Sequence, residues 1–146
     1  MGQNGSMNTP RLARAALVLA LLLLAACATK QHSRDLLNTT LYGYSSAIRW
    51  GDFGGALGFV DPEVQAKKST SAVDMKRYEQ VQVAGYYVQG STNDGEGNLR
   101  QTIELRLVNR HTQVERAVVV HEVWRYDAEN LRWWLMSGLP DITESH

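Results

Sequence analysis

The chain has 146 residues with fifteen basic and fifteen acidic side chains, so its formal net charge is zero. This length fits one domain with one hydrophobic core. No stripe of basic residues is present, which excludes the electrostatic footprint of a nucleic-acid-binding protein. The single cysteine, Cys27, excludes an intrachain disulfide.

The first 26 residues have the pattern of an export signal. Residues 1–14 carry Arg11 and Arg14 and no acid, and residues 15–28 have no charge at all. A charged segment followed by an apolar one predicts a secretory signal peptide. As a membrane span the apolar run is short, because fourteen residues reach about 21 Å in a helix against a hydrocarbon core of about 30 Å. Translation starts at Met1 and at Met7 both fit this pattern.

The apolar run ends in Leu24-Ala25-Ala26-Cys27, which resembles the lipobox of bacterial lipoproteins. The resemblance implies that Cys27 receives diacylglycerol, that cleavage falls between Ala26 and Cys27, and that the new amino terminus is then acylated. Ala28, rather than Asp, follows the cysteine, which implies sorting to the periplasmic face of the outer membrane over the inner membrane. The alternative is ordinary cleavage that leaves Cys27 as a free thiol.

Lipidation would fix the mature chain of 120 residues to a membrane through Cys27. Several acyl chains anchor a protein stably, whereas one chain binds only marginally. Residues 27–32 form the lipidated terminus and a tether that spans at most about 20 Å. The mature chain carries thirteen basic and fifteen acidic residues. We therefore expect a weakly acidic domain, residues 33–146, held close to its membrane.

The first half of this domain has helical patterns. Ser33 is expected to cap a helix over residues 34–49, which Gly51 ends. Asp52 is expected to cap a second short helix that the Asp61-Pro62 pair ends. Residues 63–77 lack a sustained period and are predicted as a loop or a short irregular helix. The first helix buries one face, on which lie Leu37, Leu41, Tyr44 and Ile48.

From residue 78 the period changes to two, which indicates strands over residues 78–89, 99–109, 114–126 and 131–137. Short turns between neighbours favour an antiparallel meander of four long strands. In the second strand the side chains expected to face inward are Leu99, Ile103, Leu105 and Leu107. Helices followed by such a meander predict an α+β domain with N-terminal helices packed on a curved antiparallel sheet.

Two segments resemble NTF2-like domains. Residues 42–53, with Trp50-Gly51-Asp52-Phe53, resemble the break between the first two helices of that family. Residues 124–135 are similar to its last hairpin. The resemblance implies a cone-shaped domain in which the sheet curls around the first helix. NTF2-like domains include isomerases, dehydratases, polyketide cyclases and transport adaptors, so this fold does not specify a function.

Candidate catalytic residues are few. His121 lies mid-strand among valines, where a partly buried imidazole is a possible base, and Tyr44 is the matching donor. The alternatives are a strand histidine bonded to a neighbour and a tyrosine in the core. Glu122 points to the opposite face from His121, so the two do not share one pocket. Neither a cofactor nor a metal is expected, because the four histidines are scattered and Cys27 is committed to lipid.

Aromatic residues gather at the last hairpin: Trp124, Tyr126, Trp133 and Trp134. Neighbouring residues of a strand face opposite sides, so either Trp133 or Trp134 is expected to meet solvent, a partner or a second copy of the chain. The alternative is that helices or loops of the same chain cover both. NTF2-like domains often form dimers through the sheet, which favours an interface with a second copy or an envelope protein.

The combined prediction is a non-catalytic, lipid-anchored periplasmic domain that binds a partner protein or a small apolar ligand at the cell envelope. The first alternative is a small enzyme of the isomerase, dehydratase or cyclase type that acts on a hydrophobic substrate. The second is a structural subunit of an envelope machine. The short tether favours binding or a structural role, because an enzyme gains little from being held beside one membrane.

Overall fold

The computed structural model describes Leu17 and residues 31–143. Apart from Leu17, the predicted signal peptide lies outside the described residues, as do the lipobox-like segment and Cys27. The described residues from Leu36 onward belong to one compact unit, and residues 31–35 belong to another. None of the helices in the described part of the chain combines the length and the apolar character needed to cross a membrane.

The first helix, α1, covers residues 31–49 of the described part. It is already helical at Gln31, whose amide donates to Asp35 one turn later at 3.0 Å, so the prediction of Ser33 as its N-cap is wrong. Its inward face is confirmed, because Tyr44 and Ile48 are fully buried. The helix ends before Gly51, which has the left-handed φ of +74° that glycine adopts without strain.

Helix α2 spans Phe53–Leu57, and its predicted N-cap is confirmed. Asp52 Oδ1 accepts from the Gly55 N–H at 2.8 Å. The prediction that the Asp61-Pro62 pair ends this helix is wrong. The pair instead begins the next helix, α3, which spans Pro62–Lys67. The Asp61 carboxylate accepts from the Glu63 N–H at 2.8 Å, and proline suits the first turn because no hydrogen bond is needed from its nitrogen.

A fourth helix, α4, spans Ala72–Glu79. It begins with a capping box in which the Ser71 hydroxyl accepts from the Asp74 N–H at 3.1 Å and the Asp74 carboxylate accepts from the Ser71 N–H at 3.0 Å. The prediction of a loop or a short irregular helix over residues 63–77 is therefore wrong. Two helices occupy this segment except for residues 68–71 between them, and each has its own side-chain cap.

The sheet is an antiparallel meander of four strands in the order β1-β2-β3-β4, as predicted. Its strands are β1 Val81–Asn93, β2 Leu99–Asn109, β3 Glu115–Asp127 and β4 Arg132–Leu135. The first strand starts three residues later than residue 78, because α4 continues through Glu79. The last strand was predicted as a long strand over residues 131–137, but it has only four residues, because the chain leaves the sheet after Leu135. The α+β class is confirmed, with helices first and an open sheet after them.

One hydrophobic core joins α1, the short helices and the inner face of the sheet. The inward side of β2 is confirmed, since Ile103, Leu105 and Leu107 are fully buried. The pairing of β1 with β2 is irregular at two points, Val83/Gly85 and Val88/Gly90. Bulges of this kind bend a strand and increase its twist. At the other edge β4 is partly covered, because Leu135 forms a bridge with Val60.

Candidate functional site

A buried carboxyl group lies on the inner face of β3. Glu122 is 1% exposed. Both of its oxygens accept from the Tyr86 hydroxyl, at 2.9 and 3.0 Å, and Oε2 also accepts from the Trp124 indole N–H at 3.1 Å. A carboxylate taken out of water needs such donors, because an uncompensated buried charge is strongly destabilising. Three side chains from β1 and β3 thus form one buried polar cluster.

Burial dominates the electrostatics of this cluster. Loss of hydration raises the pKa of Glu122 from 4.5 to about 7, although the hydrogen bonds from Trp124 and Tyr86 act in the opposite direction. The pKa of the Tyr86 hydroxyl is raised as well, first by burial and then by the neighbouring carboxylate. Tyr86 therefore remains a donor, while Glu122 changes its charge near neutral pH.

Tyr44 packs beside this cluster. Its ring makes edge-to-face contacts with Trp124 at 5.1 Å and with Phe59 at 5.9 Å between ring centroids. Its hydroxyl is buried and has no hydrogen-bond partner among the residues that the structure describes. The structure places Tyr44 in the core, where the hydroxyl is a buried polar group without compensation.

We expect Tyr44→Phe to raise the free energy of unfolding by about 1 kcal/mol, because the ring contacts stay and an unsatisfied hydroxyl is removed. Urea unfolding measures the change. Tyr78→Phe is the matched control, since the Tyr78 hydroxyl donates to the Pro140 carbonyl at 2.8 Å and its loss should lower stability by about 1 kcal/mol. Equal destabilisation by both variants would show that Tyr44 does have a partner.

His121 does not belong to the cluster. It lies on the exposed face of β3, where its Nδ1 is 3.3 Å from the Thr102 hydroxyl oxygen. The side chain is thus exposed and not partly buried, and it is separated from Tyr44 by the sheet. Glu122, which the sequence pattern placed only on the face opposite to that of His121, is the carboxyl group of β3 that is buried.

A surface groove lies between the end of α1 and β1, with a volume of about 580 Å³. Tyr42, Ser46, Arg49 and Trp50 line it from the helix side, and residues 83–87 line it from the strand. Its aromatic side chains are unusually open to solvent: Trp50 is 86% exposed, Tyr42 76% and Tyr87 47%. We call this the aromatic groove.

The walls of the aromatic groove are fixed by local packing. The Tyr87 ring lies directly against Gly85, where a Cβ atom would collide with it. The Arg106 guanidinium lies 5.3 Å from the centroid of the same ring, within the range of a cation–π contact. On the opposite wall Arg49 donates to the Tyr86 carbonyl at 3.1 Å, which ties α1 to β1.

Tyr86 connects the two features. It contributes to the lining of the aromatic groove, and its hydroxyl donates inward to Glu122. Glu122 itself is not among the residues that line the groove. The buried carboxyl is therefore one side chain removed from the lining of the groove.

The aromatic residues of the last hairpin are mostly used inside the chain. Trp124 is fully buried and Trp133 is 6% exposed, so neither presents a surface to a partner. Trp133 contacts the half-buried Tyr126 ring, with 5.3 Å between ring centroids. Trp134 is half-buried, lies 4.0 Å below the Arg132 guanidinium and donates to Asp127 at 3.3 Å. Of the predicted interface residues, Trp134 and Tyr126 retain partial exposure.

Metal ligands do not converge anywhere in the described part of the chain. No group of three or more His, Cys, Asp or Glu side chains lies close enough to hold an ion there. Cys27, the predicted lipidation site, and the cleavage position at Ala26 lie outside the described residues.

Comparison of the chain with known protein families, with curated proteins and with solved structures found no match in any of the three.

Proposed function

We propose that this chain is a bacterial lipoprotein whose mature part is a small NTF2-like binding domain at the periplasmic face of the outer membrane. The lipobox-like residues 24–27, after a charged segment and an apolar run, support the address. The order of helices followed by an antiparallel meander supports the NTF2-like assignment. In this proposal Cys27 carries the acyl chains, and the domain binds a partner protein or a small apolar ligand.

The observation that carries the binding function is the aromatic groove. An exposed tryptophan and two exposed tyrosines around one concave surface are costly to leave in water, and such side chains are favoured in binding sites because they bury large areas with few rotatable bonds. The groove also combines these exposed aromatic rings with a cationic side chain, Arg49. We assign the binding site to it and not to the last hairpin.

One observation favours the enzyme alternative. A carboxyl group with a pKa of about 7 suits a general acid or base at neutral pH, and Glu122 is such a group. Its oxygens, however, are enclosed and already accept hydrogen bonds from Tyr86 and Trp124. An enzyme of this chain would use Glu122 and Tyr86, since His121 lies on the other face of the sheet. The enclosed position favours binding as the first proposal.

Incorporation of radioactive palmitate during expression of the full chain in a bacterial host tests the anchor. The natural chain is expected to take up label and to sediment with the outer membrane. The Cys27→Ser variant should take up none, because the thioether cannot form without the thiol. An unlabelled natural chain, produced in the same amount, would contradict the lipoprotein proposal.

A further inference from the structure

Two exposed aromatic side chains, Tyr42 on α1 and Trp50 directly after the last residue of α1, line the same groove. Tyr42 and Trp50 are eight residues apart, with Ser46 between them at the i+4 spacing, and all three line the aromatic groove. Trp50 differs from the other three tryptophans of the chain, two of which are buried and one half-buried. Tryptophan and tyrosine are the side chains that the interfacial region of a bilayer stabilises best, because one end is apolar and the other polar.

The charge of the groove fits an anionic surface. Arg49 is the one charged residue of its lining within the described part of the chain, and no acidic residue lines it. The Arg49 guanidinium uses an Nη2 hydrogen on the Tyr86 carbonyl and lies 5.8 Å from the centroid of the Tyr86 ring. Since a guanidinium has five N–H donors, others remain for a phosphate group.

The tether supplies the reason to choose lipid over other occupants. Leu36, where the second compact unit begins, lies nine residues after Cys27, and this stretch spans at most about 30 Å when fully extended. A membrane anchor at Cys27 therefore keeps the unit beside a lipid surface at high effective concentration. No other partner is guaranteed to be present at that distance.

We infer that the aromatic groove docks onto phospholipid of the bilayer that holds the anchor, with Trp50 and Tyr42 in the interfacial region and Arg49 on a lipid phosphate. This inference rests on the proposed lipidation of Cys27. It names the ligand class of the proposed binding site as membrane phospholipid. The docked domain has a fixed orientation on its membrane instead of moving freely at the end of a tether.

Tryptophan fluorescence of the acylated protein tests the docking. The protein is reconstituted in vesicles of phosphatidylethanolamine and phosphatidylglycerol whose acyl chains are brominated near the headgroup. The matched control carries Leu131→Trp in a Trp50→Phe background, because Leu131 is also exposed, at 55%, and precedes β4 at the opposite edge of the sheet. The three other tryptophans are the same in both proteins.

Brominated lipid is expected to quench the natural chain at least twofold more than the control. Equal quenching of the two acylated proteins would overturn the docking and leave the anchor intact. Protection of Trp50 from aqueous acrylamide in native envelope membranes, but not in pure lipid vesicles, would also overturn it and assign the groove to an envelope protein. A chain that is never acylated would overturn the proposed function itself, and the docking with it.

Discussion

As the pH rises from 5 to 8, the natural chain is expected to lose about 2 to 3 kcal/mol of unfolding free energy that the Glu122→Gln variant keeps. The pKa of Glu122 is about 7 in the folded chain and near its ordinary value of 4.5 after unfolding. Between these two pKa values the folded chain holds more protons than the unfolded chain, so each unit of rising pH lowers its stability by up to about 1.4 kcal/mol. The amide of the variant has no proton to lose and escapes this penalty.

Urea unfolding at several pH values, followed by tryptophan fluorescence, measures the effect. Stability from Glu122 is fully present below about pH 4.5 and is lost as the pH rises to about 7. Glu129→Gln, an exposed change in the turn after β3, is the matched control and should follow the natural chain at every pH. If Glu122→Gln runs parallel to the natural chain as well, the carboxyl group is not protonated in the folded state.

Local signals predicted most of the fold. Alternation along β2 predicted both the bounds of the strand and its buried face, because one side of an antiparallel sheet is packed and the other solvated. Asp52 was predicted as a cap from its position alone. The start of α4 was missed although Ser71 and Asp74 have the spacing of a capping box, because the helix itself shows little apolar periodicity.

The buried acid was missed for a different reason. Alternation predicted that His121 and Glu122 face opposite sides, but the valines around them do not reveal which side is inward. Burial preferences give no help, because glutamate is rarely buried and histidine is intermediate. Trp124 and Glu122 are two residues apart in β3 and therefore face the same side of the sheet. The large apolar ring of Trp124 was the signal that this side is the buried one.

The aromatic groove was beyond sequence analysis because it joins distant segments. Tyr42 is exposed on α1 and Trp50 is exposed directly after it, and exposed aromatics show no sequence pattern of their own. Their neighbour Tyr87 comes from β1, and its position depends on the irregular pairing near Gly85. Bulges are not visible in a period-two pattern, so the register that completes the groove was not predictable.

Trp124→Ala is expected to lower the free energy of unfolding by about 3 to 5 kcal/mol, the range for removing a large buried aromatic ring. Trp124 is fully buried and contacts the Tyr44 ring, so a cavity forms at the centre of the core. Trp134→Ala is the matched control in the same hairpin. It loses a half-buried ring and a cation–π contact and should cost about 1 kcal/mol.

The loss in Trp124→Ala should also depend on pH, because the indole N–H is a donor to Glu122. Without it the carboxylate keeps only the Tyr86 hydroxyl, and an ionised buried group that loses a donor is destabilised more than a protonated one. The cost is therefore expected to be greater at pH 8 than at pH 5, whereas the cost of Trp134→Ala should be the same at both. A loss from Trp124→Ala that does not change with pH would mean that Trp124 stabilises the core by packing alone.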